Sequence, residues 1–262
     1  MGEANILKTP ALCLQIRPWS KTSHIVTWLT PEYGLVVTSV KGACRPKSAF
    51  LGQYDLFYTC ELLFYRNGRG GIHAIRECVP QERRDPLRSD WRAAATASYL
   101  AELTARTMPT GDAGGVYALL EHAFDRLAAG KADDFVGMIL WYEIHLLHFA
   151  GLRPDMTLCP VCAESGTVWH NFVLADGRFA CPHTGAKHAG NGATVRLHAD
   201  VRRLFVRMSN ATDPLPVKKS ENFEISRLGL LRFLGIFVSL HLDVPAVVRR
   251  VALETLSFKE KK

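Results

Sequence analysis

Three cysteines, Cys159, Cys162 and Cys181, stand in the stretch LCPVCAESGTVWHNFVLADGRFACPHTGAKH. A CxxC pair places two thiolates on one tight turn, and two such pairs about twenty residues apart make a tetrahedral zinc site. The second pair is broken here, because Thr184 occupies the position three after Cys181. The fourth ligand then falls among His183, His188 and, more remotely, His170; the reach of an imidazole favours His183. Gly166, Gly177 and Gly185 supply turns, and WHNFVLADGRF supplies a short hairpin between the two halves. Such a zinc would hold together a ribbon too small for its own core. No Glu or Asp base accompanies the ligands, which argues against an open catalytic zinc. The plain alternative is a finger that has lost its metal and kept three cysteines as packing residues.

The second chemistry-bearing stretch is VKGACRPKSAF. Lys41, Arg45 and Lys47 carry no neighbouring acids, and Gly42 and Pro46 shape the turn. Arg66 and Arg69 flank another turn, RNGRGG. Residues 1–80 hold nine Lys and Arg against five Asp and Glu, within a chain of formal charge +7. Clustered cations can grip phosphates, and aromatic rings beside them can stack on bases. The available rings are Trp19, Trp28, Tyr33, Tyr54, Phe57, Tyr58, Phe64 and Tyr65, of which strand alternation commits half to the core. Arg202, Arg203 and Arg207, with Arg249 and Arg250, are candidates for a second basic surface; solvated helix faces account for them equally well. The chain lacks HExxH, GxSxG and a phosphate-binding loop, so an enzyme reading finds no motif. Asp133 and Asp134 read as a helix start.

These residues need elements to hold them. Five runs rich in β-branched and aromatic residues, ALCLQIRPW, HIVTWLT, GLVVTSVKG, FYTCELLFYR and IHAIRECV, predict five strands before residue 80. That number fits a small barrel, with an OB-fold ahead of an SH3-like barrel. After Arg83 the period changes to helical: WRAAATASYLAELTARTM capped by Ser89 or Asp90, then a helix with Val116, Leu119, Leu120, Ala123, Phe124 and Leu127 on one face, then the almost wholly apolar FVGMILWYEIHLLHFAG. VRLHADVRRLFVRM reads as an amphipathic helix, ISRLGLLRFLGIFVSLHL as a long apolar one and VVRRVALETL as a short closing helix. The expected order is an α+β chain: an OB-fold over residues 1–82, a helical domain over 83–154 and 193–262, and a zinc-ribbon-like insert over 155–192. Neither an apolar leader nor a membrane span is expected, since the most apolar run carries Glu143, His145 and His148. Cys13, Cys44, Cys60 and Cys78 have no paired spacing and fit small buried hydrophobes in a reducing cytoplasm.

SKTSHIVTWLTPEYGLVVTSVKGACRPKS resembles the N-terminal barrel of the RecO family of recombination mediators, and LHFAGLRPDMTLCPVC resembles the helix that leads into that family's cysteine insert. The resemblance implies an OB-fold, a helical domain and a zinc-ribbon-like insert. It implies a non-catalytic, cytoplasmic, nucleoid-associated protein of DNA repair that binds single- and double-stranded DNA and anneals complementary strands. Its implied partners are RecR, the acidic and apolar C-terminal tail of SSB and, indirectly, RecA. The five cations at 41, 45, 47, 66 and 69 become the expected phosphate contacts. A pocket for the SSB tail is expected in the helical domain near Phe124 and Arg126, or at Arg227 or Arg232. Two departures stand out: CPHT replaces the family's second CxxC, and Ala43-Cys44 occurs where another Arg is common. A sequence-specific zinc-finger protein is the rival reading, distinguished by duplex specificity.

Overall fold

The computed structural model describes residues 6–108, 111–130, 134–181, 183, 193–216, 220–242 and 244–257. Two compact units emerge. One runs to Phe135 and takes in the chain from Ala252; the other spans Val136–Val251.

The first unit is built on five strands: β1 (Ile6–Ser20), β2 (Ser23–Thr30), β3 (Gly34–Val40), β4 (Thr59–Tyr65) and β5 (His73–Glu82). They close in the order β1-β2-β3-β5-β4, the arrangement of an OB-fold. β1 pairs antiparallel with both β2 and β4, so its length of fifteen residues closes the barrel and leaves no open edge. The interior holds Ala11, Val26, Trp28, Leu62 and Phe64, all fully buried. Trp28 Nε1 donates to Thr38 Oγ1 at 2.9 Å, which satisfies the one polar atom of that ring. The buried run Ala11–Leu14 breaks simple alternation because β1 also has helix α1 (Trp91–Thr107) against it, with Gln15 Nε2 donating to Glu102. Asp90 caps α1 by accepting from the Arg92 amide at 2.9 Å.

α2 (Gly114–Ala128) is tied to the barrel through Arg84. That residue is buried in a left-handed conformation (φ 48°) and donates to Phe57 O, Thr59 Oγ1 and Asp125 Oδ1 at 2.7–2.9 Å. Phe124 packs edge-on against Phe57, 5.3 Å between ring centres.

The second unit starts with α3 (Phe135–Phe149), buried on nearly every side from Gly137 to Leu147. After α4 (Pro160–Glu164) comes a three-stranded sheet of β6 (Trp169–Val173), β7 (Arg178–Phe179) and β8 (Thr194–His198), in the order β7-β6-β8. α5 (Ala199–Ser209), α6 (Glu221–His241) and α7 (Ala246–Ser257) follow. The predicted hairpin within WHNFVLADGRF is present as β6 and β7. The amphipathic helix predicted from Val195 is corrected: VRLH is strand, and the helix starts only at Ala199. His198 is the reason, since its ring accepts from the Asp200 amide and caps α5. The helical period runs through Val201, Leu204, Phe205 and Met208, all buried. Phe172 of β6 packs against Phe233 and Phe237 of α6, with ring centres 5.1 and 6.2 Å away. α5 and α6 meet closely at Gly229, where a Cβ would lie 2.6 Å from Val201. Among the described residues no helix is long and apolar enough to cross a membrane.

Glu143, at the centre of α3 and fully buried, is met by Arg249 of α7 through two parallel hydrogen bonds of 2.6 and 2.9 Å. Arg249 Nη1 also donates to Leu231 O, and Gly235 leaves room for it: a Cβ there would sit 2.9 Å from Nη1. A paired buried charge is tolerated, whereas a single one left behind is not. Replacing Arg249 with Met is expected to cost about 3–5 kcal/mol in chemical denaturation, and the double change Glu143→Met/Arg249→Met to recover most of that loss. Gly229→Ala is expected to destabilise by about 1–3 kcal/mol from crowding, against a helix-propensity gain of about 1 kcal/mol.

Candidate nucleic-acid interface and metal centre

Lys41, Arg45 and Lys47 are exposed on the turn that leaves β3. Gly42 takes φ +71° there, which lets the Arg45 side chain fold against it. The turn is fastened to the β1–β2 connection: the Cys44 amide donates to Thr22 O at 3.2 Å and the Gly42 amide to Ser23 Oγ at 3.4 Å. The register explains this, because His24, at the start of β2, lies opposite Val40, at the end of β3. The end of β1 and the turn after it add exposed Arg17 and Lys21, and a ring standing in solvent, Trp19, at 67% exposure. Among the described residues none of these five cations has a carboxylate partner.

Arg66 and Arg69 are equally exposed but lie elsewhere. Ser39 and Tyr65 both face Ala74 across their strands. β3 and β4 run in opposite directions from that row, so the chain leaves it in opposite senses at Lys41 and at Arg66, and His73 links the two: its carbonyl accepts from Ser39 Oγ and its Nδ1 from the Asn67 amide. The five expected phosphate contacts therefore divide into three on the turn after β3 and two on the β4–β5 turn. The rings divide as well. Trp28, Tyr54, Phe57, Tyr58 and Phe64 are core, and Tyr33 packs against Phe64; Trp19 and, at 37%, Tyr65 remain outside. Composition around Arg-Pro-Trp-Ser-Lys gave no sign that its ring and both cations share an end with the 41–47 turn; only the β2–β3 register carries that information.

The sulfurs of Cys159, Cys162 and Cys181 and His183 Nδ1 all lie within 4.8 Å of one another. Cys159 caps α4, its Sγ accepting from the Cys162 amide at 3.3 Å, the fold of a CxxC knuckle. Cys181 follows β7 and brings His183 with it. Sulfur–sulfur separations are 3.2 Å for Cys159–Cys181 and 3.7 Å for Cys162–Cys181. His183 Nδ1 stands 3.6, 3.9 and 4.0 Å from Cys162, Cys181 and Cys159. A tetrahedron with metal–sulfur bonds near 2.3 Å and metal–nitrogen near 2.0 Å has edges of about 3.5–3.8 Å, so the four donors fit one ion. Contact with Cys159 holds the Cys181 thiol down to about 6 and pushes that of Cys162 up to about 12. An easily ionised sulfur suits a cation. His170 is not part of the cluster, since its ring lies on Phe179 at 5.8 Å. His188 and Thr184 lie outside the described residues.

The partner-binding expectations fare unequally. Phe124 is fully buried, so it has no surface to offer and is corrected to a core residue. Arg126 lies on the same helix, α2. Arg227 is engaged by Glu224, one turn back on α6, at 3.0 Å. Arg232 lines an apolar groove of about 650 Å³ together with Trp169, Ile225, Leu228 and Ile236. Arg196, which sequence reasoning passed over, shares that groove and lies 5.4 Å over the Trp169 ring. Of the second basic surface, Arg249 is withdrawn by its pairing with Glu143, Arg203 pairs with Asp200, and Arg202 donates to Met156 O.

Residues 3–83 match the family model "Recombination protein O N terminal", and residues 88–246 match "Recombination protein O C terminal". The DNA repair protein RecO of Alkaliphilus metalliredigens is 23% identical over 91% of this chain and 94% of its own length. That of Desulforamulus reducens is 30% identical over 67% of this chain and 68% of its own. The RecO of Desulfosudis oleivorans is 24% identical over 89% and 92% respectively. Barrel and cysteine-bearing helical part thus match in sequence and in order, and the chain belongs to the RecO family of DNA repair proteins.

Proposed function

We propose that the chain is a non-catalytic, cytoplasmic mediator that binds DNA through one end of its barrel. The observation that carries this is the junction of the β1–β2 and β3 turns, where exposed Arg17, Lys21, Lys41, Arg45 and Lys47 share the strand ends with an exposed Trp19. Cations without carboxylate partners grip phosphates regardless of sequence, and a free indole stacks on any base. Both single and double strands are accepted on that basis. Arg66 and Arg69, on the β4–β5 turn, give a second phosphate contact. Two separated contacts lower the repulsion between strands, which is what annealing needs.

The same reading makes the four-donor cluster a structural zinc site, with Cys159, Cys162, Cys181 and His183 as ligands. The metal would pin α4 to the end of β7; those residues orient it and need no reacting group.

The groove at Arg232 supports a partner role. Its apolar floor and its two cations, Arg196 and Arg232, complement the acidic, apolar tail expected of SSB, with the terminal carboxylate at the guanidinium groups. Docking there would bring the protein to SSB-coated strands, where with RecR it assists the loading of RecA.

Replacing Lys41, Arg45 and Lys47 with Ala should weaken single-strand binding and reduce the slope of log affinity against log salt by about 2, read by fluorescence anisotropy. Trp19→Ala should cost about 1–3 kcal/mol of that affinity with the salt slope unchanged. An unaltered slope in the triple variant would remove the barrel end from the DNA site. Purified protein should carry one zinc per chain by elemental analysis, and Cys181→Ser should lower that content and the melting temperature together. Arg232→Glu should weaken binding of an SSB-tail peptide on the order of tenfold, as expected for loss of a charge-assisted bond.

A further inference from the structure

One cluster of reactive side chains takes no part in the metal centre. Cys44, in the cationic turn, is exposed, whereas the other cysteines of the barrel, Cys13, Cys60 and Cys78, are buried. Its Sγ lies 3.2 Å from His24 Nε2, and His24 Nδ1 lies 2.7 Å from Tyr54 Oη. The Tyr54 ring also meets His24 edge-on and is itself buried against Trp28. Sulfur, imidazole and phenol therefore form a chain running from solvent into the barrel core.

Each link has a chemical consequence. Burial, with neighbouring thiols adding to it, pushes the Tyr54 hydroxyl well up from its usual range, so it stays a phenol. With the ring proton of a neutral imidazole on Nδ1 and donated to the Tyr54 oxygen, the Nε2 lone pair faces the sulfur and can take its proton. An imidazole in contact with a thiol is the arrangement that activates a cysteine nucleophile. Lys41, Arg45 and Lys47 stand on the same turn, and cations favour the approach of an anion.

We propose that Cys44 is a modification site that forms mixed disulfides with small anionic disulfides, with His24 and Tyr54 as its positioning residues. The Cys44 sulfur attacks one sulfur of the incoming disulfide. The old S–S bond breaks as the new one forms. The departing thiolate takes up the Cys44 proton by way of His24, so Cys44 is oxidised and half of the small disulfide is reduced. With oxidised glutathione the adduct adds two carboxylates and one ammonium beside Lys41, Arg45 and Lys47. Resting here on the barrel-end DNA reading, the adduct opposes phosphate binding until a thiol removes it.

The test uses the full chain, reduced and zinc-loaded, incubated with oxidised glutathione and separately with cystamine, a cationic disulfide. Peptide mass spectrometry follows each cysteine. Cys44 should be modified first, and its preference for glutathione over cystamine should exceed that of a free cysteine peptide by on the order of tenfold. His24→Asn should slow the reaction on the order of a hundredfold, the lower range for a positioned acid–base group. Tyr54→Phe, which keeps the buried ring, should slow it less. A Cys44 no faster than the peptide, or a rate indifferent to both substitutions, overturns the proposal. DNA binding is read separately. Glutathionylated protein should lose single-strand affinity, regain it with dithiothreitol, and Cys44→Ser should be immune. Modification at the expected rate with unchanged DNA affinity would leave the thiol site standing and sink the barrel-end reading alone.

Discussion

The closure of β1 onto both β2 and β4 is the constraint from which the first unit follows. A strand of ordinary length would reach one neighbour fully and leave the other edge open. Fifteen residues, with a register shift between Cys13 and Gln15, allow β1 to bend and serve both. Once the barrel is closed, the position of every turn is set by register and not by local composition. The β1–β2 and β3 turns emerge together, and the β4–β5 turn is joined to the end of β3 through His73. Chemistry at the barrel end is therefore a by-product of pairing: residues more than twenty positions apart become neighbours because His24 faces Val40.

In the second unit an ion pair does comparable work in a different way. Glu143 sits in a helix with almost no polar face, and Arg249 enters from a helix more than a hundred residues later. The pair does not add much net stability over an apolar substitute, but it allows only one alignment of α3, α6 and α7, because Arg249 must also reach Leu231 O past Gly235. The cysteine cluster shows the same logic on a smaller scale. α4 has no buried residue of its own, so its place depends on the sulfurs that bracket it.

Much of this was legible beforehand, and the parts that were not have definite causes. The five strands and the long helices follow from period and turn residues; of the four clustered donors, Cys159, Cys162 and Cys181 follow from ribbon-like spacing and His183 from reach. The strand at Thr194–His198 was hidden because Val-Arg-Leu-His fits both periods and the capping histidine is visible only through its bond to Asp200. Phe124 looked like a pocket wall because a helical face shows which residues are apolar, not whether another ring covers them. Arg227 and Arg232 are indistinguishable in sequence, yet Glu224 occupies one and leaves the other at the groove. The sorting of Trp19 from Trp28 depends on which side of a closed sheet each ring faces.

The three-stranded sheet draws β6 and β7 from the cysteine-bearing segment but β8 from beyond it. That splice makes the segment a poor candidate for excision. A shortened chain lacking it would retain β8 with a naked row of amide and carbonyl groups, and would strip the cover of Phe172 from Phe233 and Phe237. Grafting the segment into a foreign host would fail for the complementary reason, since the transplant would arrive without the strand that completes it.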